Sequence, residues 1–96
     1  MRRENIIQIL GKSHAVEVLR ALKEGPKRFL DLKEVCNSNR TRSARLRELE
    51  SKGLVKTIAK IVGRRAYTFY ELTPIGREAL ELCEKLLRLE RNIRSK

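Results

Sequence analysis

The 96-residue sequence predicts a mainly α domain that carries one small β-hairpin and ends in a long helix. Three stretches predict it. Residues 38–53, SNRTRSARLRELESKG, open on a good N-cap and close on a glycine, with nothing between that breaks a helix. In residues 54–72 the texture changes: LVKTIAKI and AYTFYEL, rich in β-branched and aromatic residues, flank the Gly-containing loop VGRR. From residue 74 onward, apolar positions recur at spacings of four and three for about twenty residues, with Gly76 as the one potential breaker.

The elements follow in order. Ile6, Ile7 and Leu10 place a short helix over residues 3–10, ended by Gly11. Ser13 can cap the next helix, with Glu17 in its first turn. That helix runs to about Glu24, where Gly25-Pro26 stops it. Lys27-Arg28-Phe29 suits a minor strand. LDLKEVC then sets Leu32, Val35 and Cys36 on one side and Asp31 in the first turn, which reads as a helix of about seven residues. Asn37 and Ser38 end it and start the central helix. Helix, tight turn and helix make a helix-turn-helix arrangement, with Ser38–Lys52 in the recognition position.

On the central helix Leu46 and Leu49 define the buried side, while Arg40, Thr41, Ala44, Arg47, Glu48 and Ser51 point roughly the opposite way. Its first ten residues carry Arg40, Arg42, Arg45 and Arg47 and no acid. Such a helix suits a DNA groove: its start offers N–H groups to phosphate, and the arginines offer paired donors to guanine or phosphate. The plainer alternative is a solvated Arg-rich face, and the helix taken alone favours neither.

In the hairpin, Lys56 and Lys60 lie on the first strand and Gly63-Arg64-Arg65 form the tip. Period two puts Thr68, Tyr70 and Leu72 on one face, expected to meet the core, and leaves Tyr67 and Phe69 for a second surface. Thr73-Pro74 starts the last helix, Thr as cap and Pro in the first turn. There Ile75, Ala79, Leu82, Leu86, Leu89 and Ile93 form a seven-residue repeat, and Leu80, Cys83 and Leu87 form a second stripe beside it. Twenty residues span about 30 Å, so the helix is expected to outrun its own small core. Pairing with a second copy through Leu82, Leu86, Leu89 and Ile93, helped by Ile6, Ile7 and Leu10, would bury the excess. The alternative is a helix folded back over its own domain.

Charge points to the partner. The chain carries a net +11 with a pI near 10.4, which favours a polyanion, nucleic acid before a membrane surface. Residues 37–72 hold nine basic and three acidic residues, more than half of the excess. No apolar run approaches membrane-spanning length and no targeting signal is evident, so a cytoplasmic, nucleoid-associated protein is expected. Cys36, Cys83 and the single His14 do not form a metal-ligand spacing, and free thiols in a reducing compartment are expected. No cofactor is expected and no enzyme, because one His and two Cys build no nucleophile–base pair and no Gly-rich phosphate loop is present. Cys36 is the only sensor candidate, against the reading of a small buried residue closing the turn.

Taken together, these residues resemble the winged helix-turn-helix transcriptional regulators, most closely the HxlR type, with the MarR and ArsR types behind. LRALKEGPKRFLDLKEV looks like the family's helix 1, Gly-Pro turn and helix 2. TRSARLRELESKGLV looks like its recognition helix and the start of its wing, and YELTPIGREAL like its wing exit and last helix. The match covers about residues 10–82.

Length and element order give one domain over 1–96: an N-terminal extension helix (1–12), a winged-helix core (13–73) and a C-terminal dimerisation helix (74–96). The resemblance implies sequence-specific double-stranded DNA binding by a homodimer, the recognition helix in the major groove and the wing, 60–66, on the backbone or minor groove. By position the base-reading candidates are Asn39, Arg40, Thr41 and Ala44, with Arg47 beside them. Ser38, Arg42, Ser43, Arg45 and Lys60, with Arg64 and Arg65 at the wing tip, complete the expected DNA-facing set.

Three positions depart from the pattern. Arg42 stands where the family has an aliphatic residue, Leu30 where it has a cap, and His14 where the HxlR type often has an aromatic. For Arg42, either its stem packs and its guanidinium reaches out, or the helix start is tilted. The leading functional expectation is a regulator on a pseudo-palindromic operator. The alternatives are architectural, chromatin-type binding without an operator, and a winged-helix interaction module of transcription or replication machinery.

Overall fold

Residues 4–94 are described in a computed structural model. Four α-helices and a two-stranded antiparallel sheet follow one another: α1 (Ile6–Leu10), α2 (Ala15–Lys23), a 3-10 helix (Leu30–Glu34), α3 (Asn39–Ser51), β1 (Val55–Val62), β2 (Arg65–Leu72) and α4 (Pro74–Arg94). The expected mainly α fold with its hairpin is the observed one. Residue 3 of the expected first helix, and residues 95–96 of the last, lie outside the described residues.

Local chemistry explains the boundaries. Asn5 and Gln8 form a capping box at α1, each side chain accepting from the other's backbone N–H at 2.8 Å. Ser38 caps α3 by accepting from the Thr41 N–H at 3.2 Å, and Gly53 follows that helix at φ 73°. The hairpin pairs Val55 with Leu72 through to Val62 with Arg65, leaving Gly63-Arg64 as a two-residue turn in which Gly63 takes φ 67°.

Three expectations differ from the structure. The cap of α2 is His14 in the left-handed conformation, not Ser13. Consecutive turns after α1, with Lys12 N–H on the Ile9 carbonyl and Ala15 N–H on the Lys12 carbonyl, force that geometry. The seven-residue helix 2 is a five-residue 3-10 helix, tied by the Asp31 carboxylate accepting from the Arg28 N–H. So short a span between two turns favours the tighter winding. The expected minor strand is one bridge, Lys27 with Tyr70, bonded both ways at 3.0 and 2.7 Å.

Every element feeds one core. Leu19 and Leu22 of α2 meet Leu32, Leu46 and Leu49, the hairpin base Leu54, Val55 and Leu72, and Leu80 of α4. One joint welds the end of α3 to the hairpin base and to α4. Thr73 donates its N–H to the Leu54 carbonyl (3.1 Å) and its hydroxyl to the Gly53 carbonyl (2.6 Å), while its Oγ1 accepts from the Gly76 N–H (2.9 Å). A Cβ on Gly76 would stand 2.0 Å from the Leu54 carbonyl oxygen, so only glycine lets the helix cross this close. Away from the joint the chain spreads. Its radius of gyration is 14.6 Å, against about 12.5 Å for a compact chain of this length.

Candidate nucleic-acid interface

The recognition helix α3 sorts its charges by face. Asn39, Arg40 and Arg47 are exposed, and Thr41, Ser43 and Ala44 are half-buried beside them. Its first intrahelical bond runs from the Arg42 N–H to the Ser38 carbonyl at 2.9 Å. The N–H groups of Asn39 and Arg40, ahead of it, remain for water or a phosphate oxygen.

Two arginines of the expected DNA-facing set turn inward instead. Arg42 is fully buried, guanidinium included. It lies 4.2 Å over the Phe29 ring, donates to the Cys36 carbonyl at 2.7 Å and to the Asn39 side-chain oxygen, and leaves its Nε without a partner. The stem packs inside as the first alternative has it, but the guanidinium does not reach out: it is inside as well. Arg45 donates its Nε to the Ser13 carbonyl (2.9 Å) and pairs with Glu48 (2.7 Å), with its side chain only 15% exposed. Both are withdrawn from the set of DNA contacts for the same reason: their hydrogen bonds are made within the domain.

Glu48 is a third correction. It was expected to point outward, yet α1 and the turn after it cover this face. There Glu48 accepts from Arg45 and from Lys12, which also holds Glu4. Partial burial works to raise the Glu48 pKa, but the bonds from Lys12 and Arg45 outweigh it and hold the carboxyl below its ordinary value. The bonds from Glu4 and then Glu48 raise the pKa of Lys12 in turn. The sequence reading missed Lys12, since a link across 36 residues leaves no local signal.

The hairpin is anchored at its base and free at its tip, with residues 59–66 all exposed. Lys60, Arg64 and Arg65 are therefore accessible, as expected. The aromatics are less free. Tyr67 and Phe69 are half-buried, with Arg28 and Lys60 each 5.4 Å from a ring centroid, so cations cover part of the supposed second surface.

Along α4 the stripes part by position: Ala79 of the first packs on the core with Leu80 of the second, whereas Leu87 of the second is exposed. Leu80 is 1% exposed on the core, and Glu84 faces Arg20 and Lys23 of α2 at 3.6 and 3.7 Å. Leu82, Leu86, Leu89 and Ile93 stand 57–74% exposed. Ile6 and Ile7 are exposed as well, but Leu10 is half-buried against the domain's own core and does not belong with them. Cys36 is buried, its thiol 3.8 Å from the Ser38 carbonyl, which is the geometry of a residue closing the turn. Burial, then Glu84, pushes the half-buried Cys83 thiol up. Among the described residues no group of three His, Cys, Asp or Glu could hold a metal ion, and no helix is long and apolar enough to cross a membrane.

Comparison with known proteins agrees with this geometry. An uncharacterised HTH-type transcriptional regulator of Methanocaldococcus jannaschii is 35% identical over 92 residues, covering 90% of this chain and 79% of that protein. The reduced form of the transcriptional regulator YodB from B. subtilis superposes with a TM-score of 0.76 at 25% identity, over 85% of this chain and 81% of that one. A PadR family transcription regulator from Clostridium difficile R20291 reaches 0.78 over 85% and 94%, and at 17% identity it shows the fold alone. The family model described as HxlR-like helix-turn-helix matches residues 9–96, and the chain belongs to that family.

Proposed function

We propose that the protein is a transcriptional regulator that binds double-stranded DNA sequence-specifically as a homodimer. In this reading α3 enters the major groove, with Asn39, Arg40, Thr41, Ala44 and Arg47 toward the bases and Ser38 and Ser43 at the edges. Lys60, Arg64 and Arg65 on the wing, 60–66, follow the backbone or minor groove. The observation that carries it is the exposed Asn39–Arg40–Arg47 face on a helix whose far end is fixed to the wing and α4 through Thr73 and Gly76. A rigid basic helix beside a basic hairpin matches the periodic charge of a duplex.

Dimerisation rests on α4. Its outward repeat of Leu82, Leu86, Leu89 and Ile93 continues past Glu84, which pairs with Arg20 and Lys23 of α2. A two-fold pairing of this stripe, with Ile6 and Ile7 alongside, buries it and sets two recognition helices about one DNA turn apart. The division into 1–12, 13–73 and 74–96 follows from these roles, and DNA as the target puts the protein at the nucleoid in the cytoplasm. Because cations partly cover Tyr67 and Phe69, a protein-interaction module has weaker support than DNA binding.

Selection of bound duplexes from a random pool tests the proposal. A pseudo-palindrome, bound at least about 10³-fold tighter than random DNA at physiological salt, is the expected result. Enrichment of no sequence would replace the regulator with an architectural binder.

A further inference from the structure

Among the described residues the buried guanidinium of Arg42 has no carboxylate partner, and its Nε has no hydrogen-bond partner. An aliphatic side chain would fill this place, one turn before Leu46, without desolvating a charge. What the guanidinium adds is direction. One nitrogen holds the Cys36 carbonyl across the turn, another holds the Asn39 side-chain oxygen, and Phe29 fixes its plane. Asn39 must turn its oxygen inward here, because its NH2 would set two donors against each other. Asn39 is exposed at the helix start, so its amide NH2 is the group left to meet a partner, beside the backbone N–H groups of Asn39 and Arg40.

We propose that Arg42 is a positioning residue that sets Asn39 as a hydrogen-bond donor toward DNA. Arg42 holds one lone pair of the Asn39 oxygen and turns that oxygen to the domain, which leaves the NH2 donor as the group offered to DNA. Asn39 therefore selects an acceptor: a phosphate oxygen, guanine O6 or N7, adenine N7 or thymine O4. The inference rests on the proposed placement of α3 in the major groove.

The test measures binding of the selected duplex by wild type, Asn39→Ala, Arg42→Met and the double variant, with thermal unfolding of each. Asn39→Ala is expected to weaken binding about three- to tenfold, one hydrogen bond's worth. Arg42→Met is expected to stay folded and to weaken binding comparably. The double variant should bind within about twofold of Arg42→Met, since an unfixed Asn39 has little left to lose. An equal Asn39→Ala loss in both backgrounds would overturn the proposal. So would Asn39→Asp binding like wild type, since a carboxylate offers no donor, a result that needs no Arg42 variant to fold.

Methylphosphonate and 7-deazaguanine substitutions separate the acceptors, and loss of the Asn39 dependence with either one supports the donor role. If Arg47→Ala and Arg64→Ala bind like wild type, the proposed function itself fails. Normal losses there with an uncoupled Asn39 overturn only the role of Arg42.

Discussion

The recognition helix and the terminal helix break the ordinary rule of burial in opposite directions. On α3 a charge goes inside: Arg42 is fully buried, and Arg45 and Glu48 are half-buried and paired. On α4 leucines stay outside: Leu82, Leu86 and Leu89 are more than half exposed, while the adjoining stripe docks through Leu80. The exceptions differ in kind. Those of α3 have their hydrogen bonds within the domain, so they shape the joint. Those of α4 leave more than half of their apolar surface uncovered by the described residues, so in our reading they belong to a second copy. An exposed stripe at regular spacing asks for a partner in a way that scattered exposed residues do not.

The contrast can be broken by substitution, starting with the largest expected effect. Leu80→Ala should cost about 2–5 kcal/mol of stability in a denaturant melt, as a buried leucine does, whereas Leu82→Ala should change monomer stability by less than about 0.5 kcal/mol. Equal costs would mean that the two stripes are not distinct. Leu86→Lys with Leu89→Lys should leave a folded monomer whose operator binding is weaker by on the order of a hundredfold, because two tethered recognition helices act at high effective concentration. Undiminished binding by that variant would detach α4 from the function.

On α3 the outward arginines should behave unlike the inward ones. Arg40→Ala and Arg47→Ala should each cost about 1–3 kcal/mol on the preferred site and less on random DNA if they contact guanine. Arg45→Ala should instead show its effect in thermal unfolding. Replacing both Arg64 and Arg65 with Ala should weaken binding nearly evenly across sequences and flatten the salt dependence by about one slope unit per lost phosphate contact. A loss confined to one sequence would assign the wing tip to base reading.

The smallest effect expected is on pH. Glu48 has its pKa lowered in the fold, so its stabilising contribution is present above its ordinary 4.5 and fades as pH falls through the lower folded value. Lys12, raised above its ordinary 10.5, contributes below that and loses it as pH rises through the folded value. Between those limits the link from α1 to α3 is intact. Glu48→Gln should remove less than about 1 kcal/mol, the pair being partly solvated, and should flatten the acid limb of a stability–pH curve. An unchanged acid limb would show that Glu48 does not hold α1 in place.

These residues also mark what was legible in the sequence. Ser38, Gly53, Gly63 and Thr73-Pro74 act through their own few neighbours, so the helix ends, the hairpin and the helix-turn-helix order could be read directly. The repeat on α4 was legible because periodicity carries over many residues. The inward turn of Arg45, the pairing of Glu48 with Lys12 and the place of Leu10 were not, since each depends on α1 and the turn after it reaching back to the core. The sequence suggested that the Arg42 stem could pack, but could not tell that Phe29, Cys36 and Asn39 would accommodate its head group. Ser13 lost the cap of α2 for a similar reason: the turn geometry puts His14 there, and the Ser13 carbonyl serves Arg45.

Sedimentation equilibrium of the wild-type chain at micromolar concentration, with Leu86→Lys/Leu89→Lys beside it, tests the pairing of α4 most directly. The account predicts a wild-type species of twice the 11.2 kDa chain mass and a variant at the chain mass with its helical signal retained. A wild type that sediments at the chain mass would contradict it.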